Sequence, residues 1–131
     1  MKGFVDDIEG RTEKNRNFRR VLYTGKHMQL VLMALRPAQE IGEEVHADGD
    51  QFFRVESGRG EVWIDGKRTK IGRGVGIVVP AGARHNVKNT GAKPLKLYTL
   101  YAPPEHLDKT VQTTKAAAEA SSEHFDGRTT E

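Results

Sequence analysis

Strand-type patterning dominates the chain from Phe18 to Tyr101. Phe18–Thr24 (FRRVLYT) and Met28–Leu35 (MQLVLMAL) are β-rich runs separated by Gly25-Lys26-His27. Pro37 breaks the second run, because proline has no N–H to give a ladder. Glu43–His46 is a short strand candidate that ends at Ala47-Asp48-Gly49-Asp50, a strong turn signal. Gln51–Glu56 (QFFRVE) is aromatic and β-branched, and Ser57-Gly58-Arg59-Gly60 turns the chain again. Glu61–Asp65 (EVWID) alternates polar and apolar residues, and Asp65-Gly66 signals a hairpin into Lys67–Ile71. Val75–Val79, His85–Asn89 and Leu95–Tyr101 complete about nine short strands with turns roughly every 8–12 residues, the spacing of a sandwich or closed barrel. Pro103-Pro104 ends this region. Thr113–Ser122 (TTKAAAEASS) predicts a short helix that lacks an apolar stripe and so lies on the surface. His124–Glu131 reads as a frayed tail.

At 131 residues the chain suits one domain. The expected division is an N-terminal arm and edge strand over residues 1–27, a barrel over 28–104, and a C-terminal helix and tail over 105–131. A hydrophobic content of 36% and a charged content of 30% are those of an ordinary soluble protein. A net charge of +3 is too small to argue for a nucleic-acid partner. Residues 11–26 do concentrate Arg11, Lys14, Arg16, Arg19, Arg20 and Lys26, a stretch read as a solvated basic face. Residues 40–50 instead carry Glu40, Glu43, Glu44, Asp48 and Asp50. Cysteine is absent, which excludes disulfides, thiolate metal sites and a cysteine nucleophile. The N-terminus has no apolar signal region and no run approaches a membrane span, so a cytoplasmic location and no membrane partner are expected.

The chemistry concentrates in two places. Gly74 to Asn89 (GVGIVVPAGARHNVKN) places Pro80 at the end of a strand, Gly82 in a tight turn and His85 at the start of the next strand. Some forty residues earlier lie Glu44-Val45-His46 and Gln51. Residues two apart in a strand share a face, so Glu44 and His46 stand side by side with Val45 opposite. If these strands adjoin inside a barrel, one carboxylate, two imidazoles and an amide oxygen converge. Two histidines and a carboxylate suit Fe(II) with open coordination positions, and equally Mn(II), Ni(II), Zn(II) or Co(II). Gln51 would be a weaker fourth ligand through its carbonyl oxygen. Asn89 is read as a turn support, His27, His106 and His124 as ordinary residues, and Phe53, Trp63, Tyr98 and Tyr101 as core.

The run Gly74, Pro80, Gly82, His85, Asn89 resembles the second conserved motif of the cupin superfamily at every fixed position. The first cupin motif is matched by His46 and by the closing Gly58. Three positions depart from it: Ala38 stands for the first glycine, Glu44 for the first histidine and Gln51 for the glutamate. The exchange of histidine for Glu44 and of glutamate for Gln51 keeps one negative charge in the set. The resemblance, which covers roughly residues 28–101, implies an all-β fold, a double-stranded β-helix or jelly-roll barrel, here with a short C-terminal helix. It implies one divalent transition metal ion (Fe, Mn, Zn or Ni) held by Glu44, His46, Gln51 and His85. It further implies a small polar substrate, sugar-like or a small organic acid, with oxygenase, isomerase or lyase chemistry; the alternative is a non-catalytic sugar-binding module. No side chain stands out as a general base, Tyr98 and Tyr101 being the options, and the catalytic residues stay unassigned. Similar one-domain cupins are commonly homodimers, and Phe18–Thr24, expected at a sheet edge, needs cover.

Overall fold

The computed structural model describes residues 1–131. Two antiparallel sheets face each other. The larger has the order β10-β1-β2-β9-β4-β7, built from β1 (Arg19–Thr24), β2 (Gln29–Leu35), β4 (Asp50–Ser57), β7 (Gly76–Val79), β9 (Leu95–Ala102) and β10 (Val111–Gln112). The smaller has the order β3-β8-β5-β6, from β3 (Glu44–Val45), β5 (Arg59–Ile64), β6 (Lys67–Gly72) and β8 (Arg84–Asn89). This is the all-β architecture expected from the turn spacing and the jelly roll implied by the cupin resemblance. No helix is long and apolar enough to cross a membrane.

The alternation along each strand decides what lies inside. Val31, Met33 and Leu35 of β2, Leu95 and Leu97 of β9, and Phe53 and Val55 of β4 are buried on one face of the large sheet. Val62, Ile71 and Val87 meet them from the small sheet. Each large apolar side chain so buried stabilises the fold by about 1.5–3 kcal/mol before entropy is counted. Toward one end the inward row changes character. Gln29, Tyr101 and Gln51 pair across β2, β9 and β4, with Thr99 one row below. All four are buried. The interior is therefore apolar at one end and polar at the other, and the polar end is where Glu44, His46 and His85 lie.

Several expectations require correction. Phe18–Thr24 was expected as an uncovered edge strand, but β10 pairs with β1 through Arg19↔Gln112 and Arg20↔Val111, so the chain covers its own edge. A first helix, α1 (Ile8–Lys14), precedes the barrel; Asp7 caps it by accepting from the Gly10 N–H at 3.1 Å, and Thr12 packs inward, fully buried. The second helix is α2 (Lys115–Ala120), shorter than Thr113–Ser122, because Thr114 caps it by accepting from Ala117 N at 3.1 Å. It buries no residue, as its composition implied. The tail is tied down instead of frayed: the Glu131 carboxylate accepts from Tyr23 Oη at 2.6 Å and Gly3 N at 3.0 Å, and Thr130 N donates to Thr24 O at 2.9 Å. Trp63 and Tyr98 are half-buried on outward faces and lie outside the core, whereas Phe53 and Tyr101 are within it.

Candidate metal centre

β3 and β8 pair with Glu44 directly opposite His85 and Val45 opposite Arg84. The turn that launches β8 is built as the motif implies: Gly82 has φ +87°, a left-handed conformation that glycine adopts without strain. Its N–H donates to His46 O at 2.9 Å, which ties the two motif segments together. Glu44 and His46 do share a face, and Val45 points away, 45% exposed. His46 Nε2 lies 3.1 Å from Glu44 Oε2. The ligating atoms of Glu44, His46 and His85 all lie within 4.8 Å of one another. The structure thus brings together the three charged or imidazole residues that the sequence singled out.

Gln51 joins them from the opposite sheet. Its Oε1 is 3.1 Å from His85 Nε2, while its Nε2 donates to Thr99 Oγ1 at 2.9 Å. The outer nitrogen of His85 is hydrogen-bonded, and that of His46 has a carboxylate nearby. His85 Nδ1 donates to Ala83 O at 3.1 Å, and His46 Nδ1 sits 3.6 Å from the Glu105 carboxylate. Partners of this kind fix the tautomer and orient the other nitrogen toward a metal. With its Nδ1 turned to Ala83 O, His85 presents Nε2 to the Gln51 amide. The donor set of two imidazoles, one carboxylate and one amide oxygen therefore fits a divalent transition ion.

Electrostatics follow from the same contacts. Burial pushes the Glu44 carboxyl up, but the His46 hydrogen bond and the charges of His46, Arg19 and His85 outweigh it and hold the group below the usual carboxylate range. The Glu44 hydrogen bond raises His46 above its ordinary value; burial opposes this, and the charges of Glu44 and Glu105 add to it. Burial pushes the Tyr101 phenol up.

Two features escaped sequence reasoning. His106, read as ordinary, lies beside the site: its Nδ1 donates to Glu123 Oε1 at 2.6 Å, and its Nε2 is 3.3 Å from Tyr101 Oη. Tyr101 in turn stands edge-on to His46 with ring centroids 5.8 Å apart. Burial lowers the His106 pKa, the Arg19 charge lowers it further, and the Glu123 contact opposes both. The second feature is Arg19, which belongs to the stretch read as a solvated face and is buried, 7% exposed. Its shared parity with the inward Val21 was the available signal. Nothing local marks His106, which follows two prolines. Tyr98, the other candidate base, packs on the outer face against Phe52 and takes no part in the site. Asn89 supports a turn as expected: its Nδ2 donates to Leu35 O and Lys93 O, and its Oδ1 accepts from Gly91 N, each at 2.9 Å.

The family model described as Cupin domain matches residues 31–101, a span that holds all four candidate ligands. The Bacillus subtilis protein YrkC is 48% identical over 126 residues, which cover 92% of this chain and 68% of that one. Protein L612 of Acanthamoeba polyphaga mimivirus is 42% identical over 79% of this chain and 67% of its own length. Among solved structures, BH2720 from Bacillus halodurans superposes with a TM-score of 0.90 at 46% identity, covering 92% of this chain and 96% of that one. With the family's own pattern spanning more than half of the chain, and relatives alike across most of it, this chain belongs to the cupin family.

Proposed function

We propose that the protein is a metal-dependent cupin enzyme acting on a small polar molecule, with Glu44, His46 and His85 as metal ligands and Gln51 as a fourth. The observation that carries this reading is the convergence of the three ligating groups within 4.8 Å, with the Gln51 amide 3.1 Å from His85 Nε2. A divalent ion so held supplies Lewis acidity toward a substrate oxygen, the common element of isomerase, lyase and oxygenase chemistry. The chain's own residues supply the rest. Ala83 orients the His85 imidazole, Glu105 places a carboxylate near His46 Nδ1, and Thr99 orients the Gln51 amide. Tyr101 closes the buried side of the site, its phenol beside His106.

A second reading, a non-catalytic binding module for a sugar or small acid, draws support from the same relay. Burial keeps the Tyr101 phenol protonated, which disfavours it as a base, and its hydroxyl is turned to His106. Elemental analysis of untagged protein after incubation with Fe(II), Mn(II), Zn(II) and Ni(II) separately tests the shared element. About one ion per chain that is lost in Glu44→Gln supports both readings; metal content near zero for every ion sinks both. Turnover of any screened sugar phosphate or organic acid then separates enzyme from binder.

We also propose a homodimer. Leu30, Leu100, Phe52 and Val78 are aligned across β2, β9, β4 and β7 on the outer face of the large sheet, and Val78 is 66% exposed. An apolar row of this kind suits a second copy of the same sheet. Analytical ultracentrifugation of wild type and Val78→Lys reads it; a wild-type monomer at micromolar concentration ends the idea.

A further inference from the structure

We propose that Arg19 is the anion-binding residue of the barrel interior and that the ligand it takes is the carboxylate of a small organic acid. Arg19 lies on the inward face of β1, in register with Met33, which is itself paired with the core residue Leu97. Guanidinium groups are among the last to be fully buried and are normally paired when they are. Here no carboxylate lies within ion-pairing distance of Arg19. A terminal nitrogen donates to the neutral Gln112 Oε1 at 2.7 Å, and the Tyr101 phenol is a second neutral group within its hydrogen-bonding reach. The Arg19 Nε is buried and has no acceptor. The Phe18 ring covers one face of the fork at 5.3 Å.

A buried donor without an acceptor costs free energy and requires an explanation. Position supplies one. The guanidinium lies within electrostatic reach of Glu44, Tyr101 and His106, so its charge is felt at the polar end of the barrel. Gln112 holds one side of the fork and Phe18 one face, which pre-orients the remaining N–H groups. A planar fork with free donors matches a carboxylate in two parallel hydrogen bonds.

Charge balance points the same way. Glu44 is the one carboxylate of the candidate ligand set. Glu105 faces His46 from a half-exposed position, and Glu123 is engaged by His106 and by the Leu107 N–H at 2.7 Å. A divalent ion added beside Arg19 leaves the interior with excess positive charge, which an anionic ligand neutralises and a neutral sugar does not. This narrows the ligand class from a sugar or an acid to an acid. The charge-balance step rests on the metal reading above; the unpaired guanidinium does not.

The test uses the full chain labelled with 15N at arginine, titrated with acetate and with acetamide, which has the same shape and no charge. Both titrations are run on metal-free and zinc-loaded protein. The buried Arg19 Nε–H resonance should move with acetate and not with acetamide in both forms, and Arg19→Met should weaken acetate binding at least tenfold without lowering zinc affinity. An Arg19 Nε–H signal unmoved at saturating acetate overturns the proposal. So does an Arg19→Met protein that binds acetate as the wild type does, or a protein that binds acetate in neither form. If Arg19→Met does not fold, the labelled wild type decides alone. Should the protein take up no zinc, the metal reading fails while the metal-free titration still reads Arg19.

Discussion

Metal uptake by this site should depend on pH with a sign fixed by the Glu44–His46 pair. In the metal-free protein the folded-state pKa of His46 lies above its ordinary value of 6.5, and that of Glu44 lies below its ordinary value of 4.5. The raised His46 contributes stability that is fully present below 6.5 and is lost as pH rises through its folded pKa. The depressed Glu44 contributes stability that is present above 4.5 and is lost as pH falls through its folded pKa. The pair therefore stabilises the metal-free fold most between 4.5 and 6.5. A metal needs the Nε2 lone pair of His46, so the proton shared with Glu44 must leave. Below the His46 pKa each pH unit should lower the apparent association constant about tenfold, or about 1.4 kcal/mol. Above it the constant should be flat, because Glu44 is already ionised. Glu44→Gln removes the hydrogen bond that raises His46, so the break should move to lower pH. The plateau affinity should fall at least about tenfold, the scale of one charge-assisted contact. Calorimetric titration with Zn(II) from about pH 5 to about pH 8, in two buffers of different ionisation enthalpy, counts the protons released. An affinity that does not change over this range, or a Glu44→Gln break at the wild-type position, would refute the reasoning.

Two backbone substitutions probe how the barrel holds that site. A Cβ added at Gly60 would lie 2.3 Å from Lys88 O and 2.9 Å from Leu95 Cδ2. β5 and β8 would have to part by roughly an ångström, so Gly60→Ala should cost about 2–4 kcal/mol in urea unfolding and weaken zinc binding through His85. Gly66→Ala meets nothing within 4 Å and, at φ +82°, should lose only about 1 kcal/mol; equal losses at the two positions would contradict the steric argument. Ala38 stands where the family motif has glycine and adopts φ +69°. Ala38→Gly should relieve about 1–2 kcal/mol of left-handed strain, offset in part by about 0.4–1 kcal/mol of unfolded-state entropy. A lower melting temperature for that variant would show that the strain is absent.

What the sequence made legible was local in origin. The side-by-side placement of Glu44 and His46 follows from the two-residue period of a strand, and the launch of His85 follows from Pro80 and Gly82. The meeting of these segments followed from the family spacing, and Gln51 arrives because β4 alternates inward at 51, 53 and 55. What escaped depends on tertiary context. A basic stretch reads as solvated because most charges are, and Arg19 is the member whose parity puts it inside. β10 is only two residues long, too short for any periodicity, yet it covers the β1 edge and supplies Gln112 to Arg19. α1 has seven residues with a glycine among them, below the length at which a helical stripe declares itself. His106 reaches the site only because Gln29, 77 positions away, holds the backbone there by accepting from His106 N at 3.0 Å.

The contact between Gln51 and His85 joins residues of different sheets, β4 on one side and β8 on the other. No strand ladder spans that gap; at the polar rim this contact adds to the two chain connections that cross there, β3 to β4 and β7 to β8, which Gly82 N joins by donating to His46 O, while close apolar packing binds the layers at the far end. An occupant gripping both residues would act as a rivet across the seam. Opening of the rim to solvent would slow, and the oily end would keep its own rhythm.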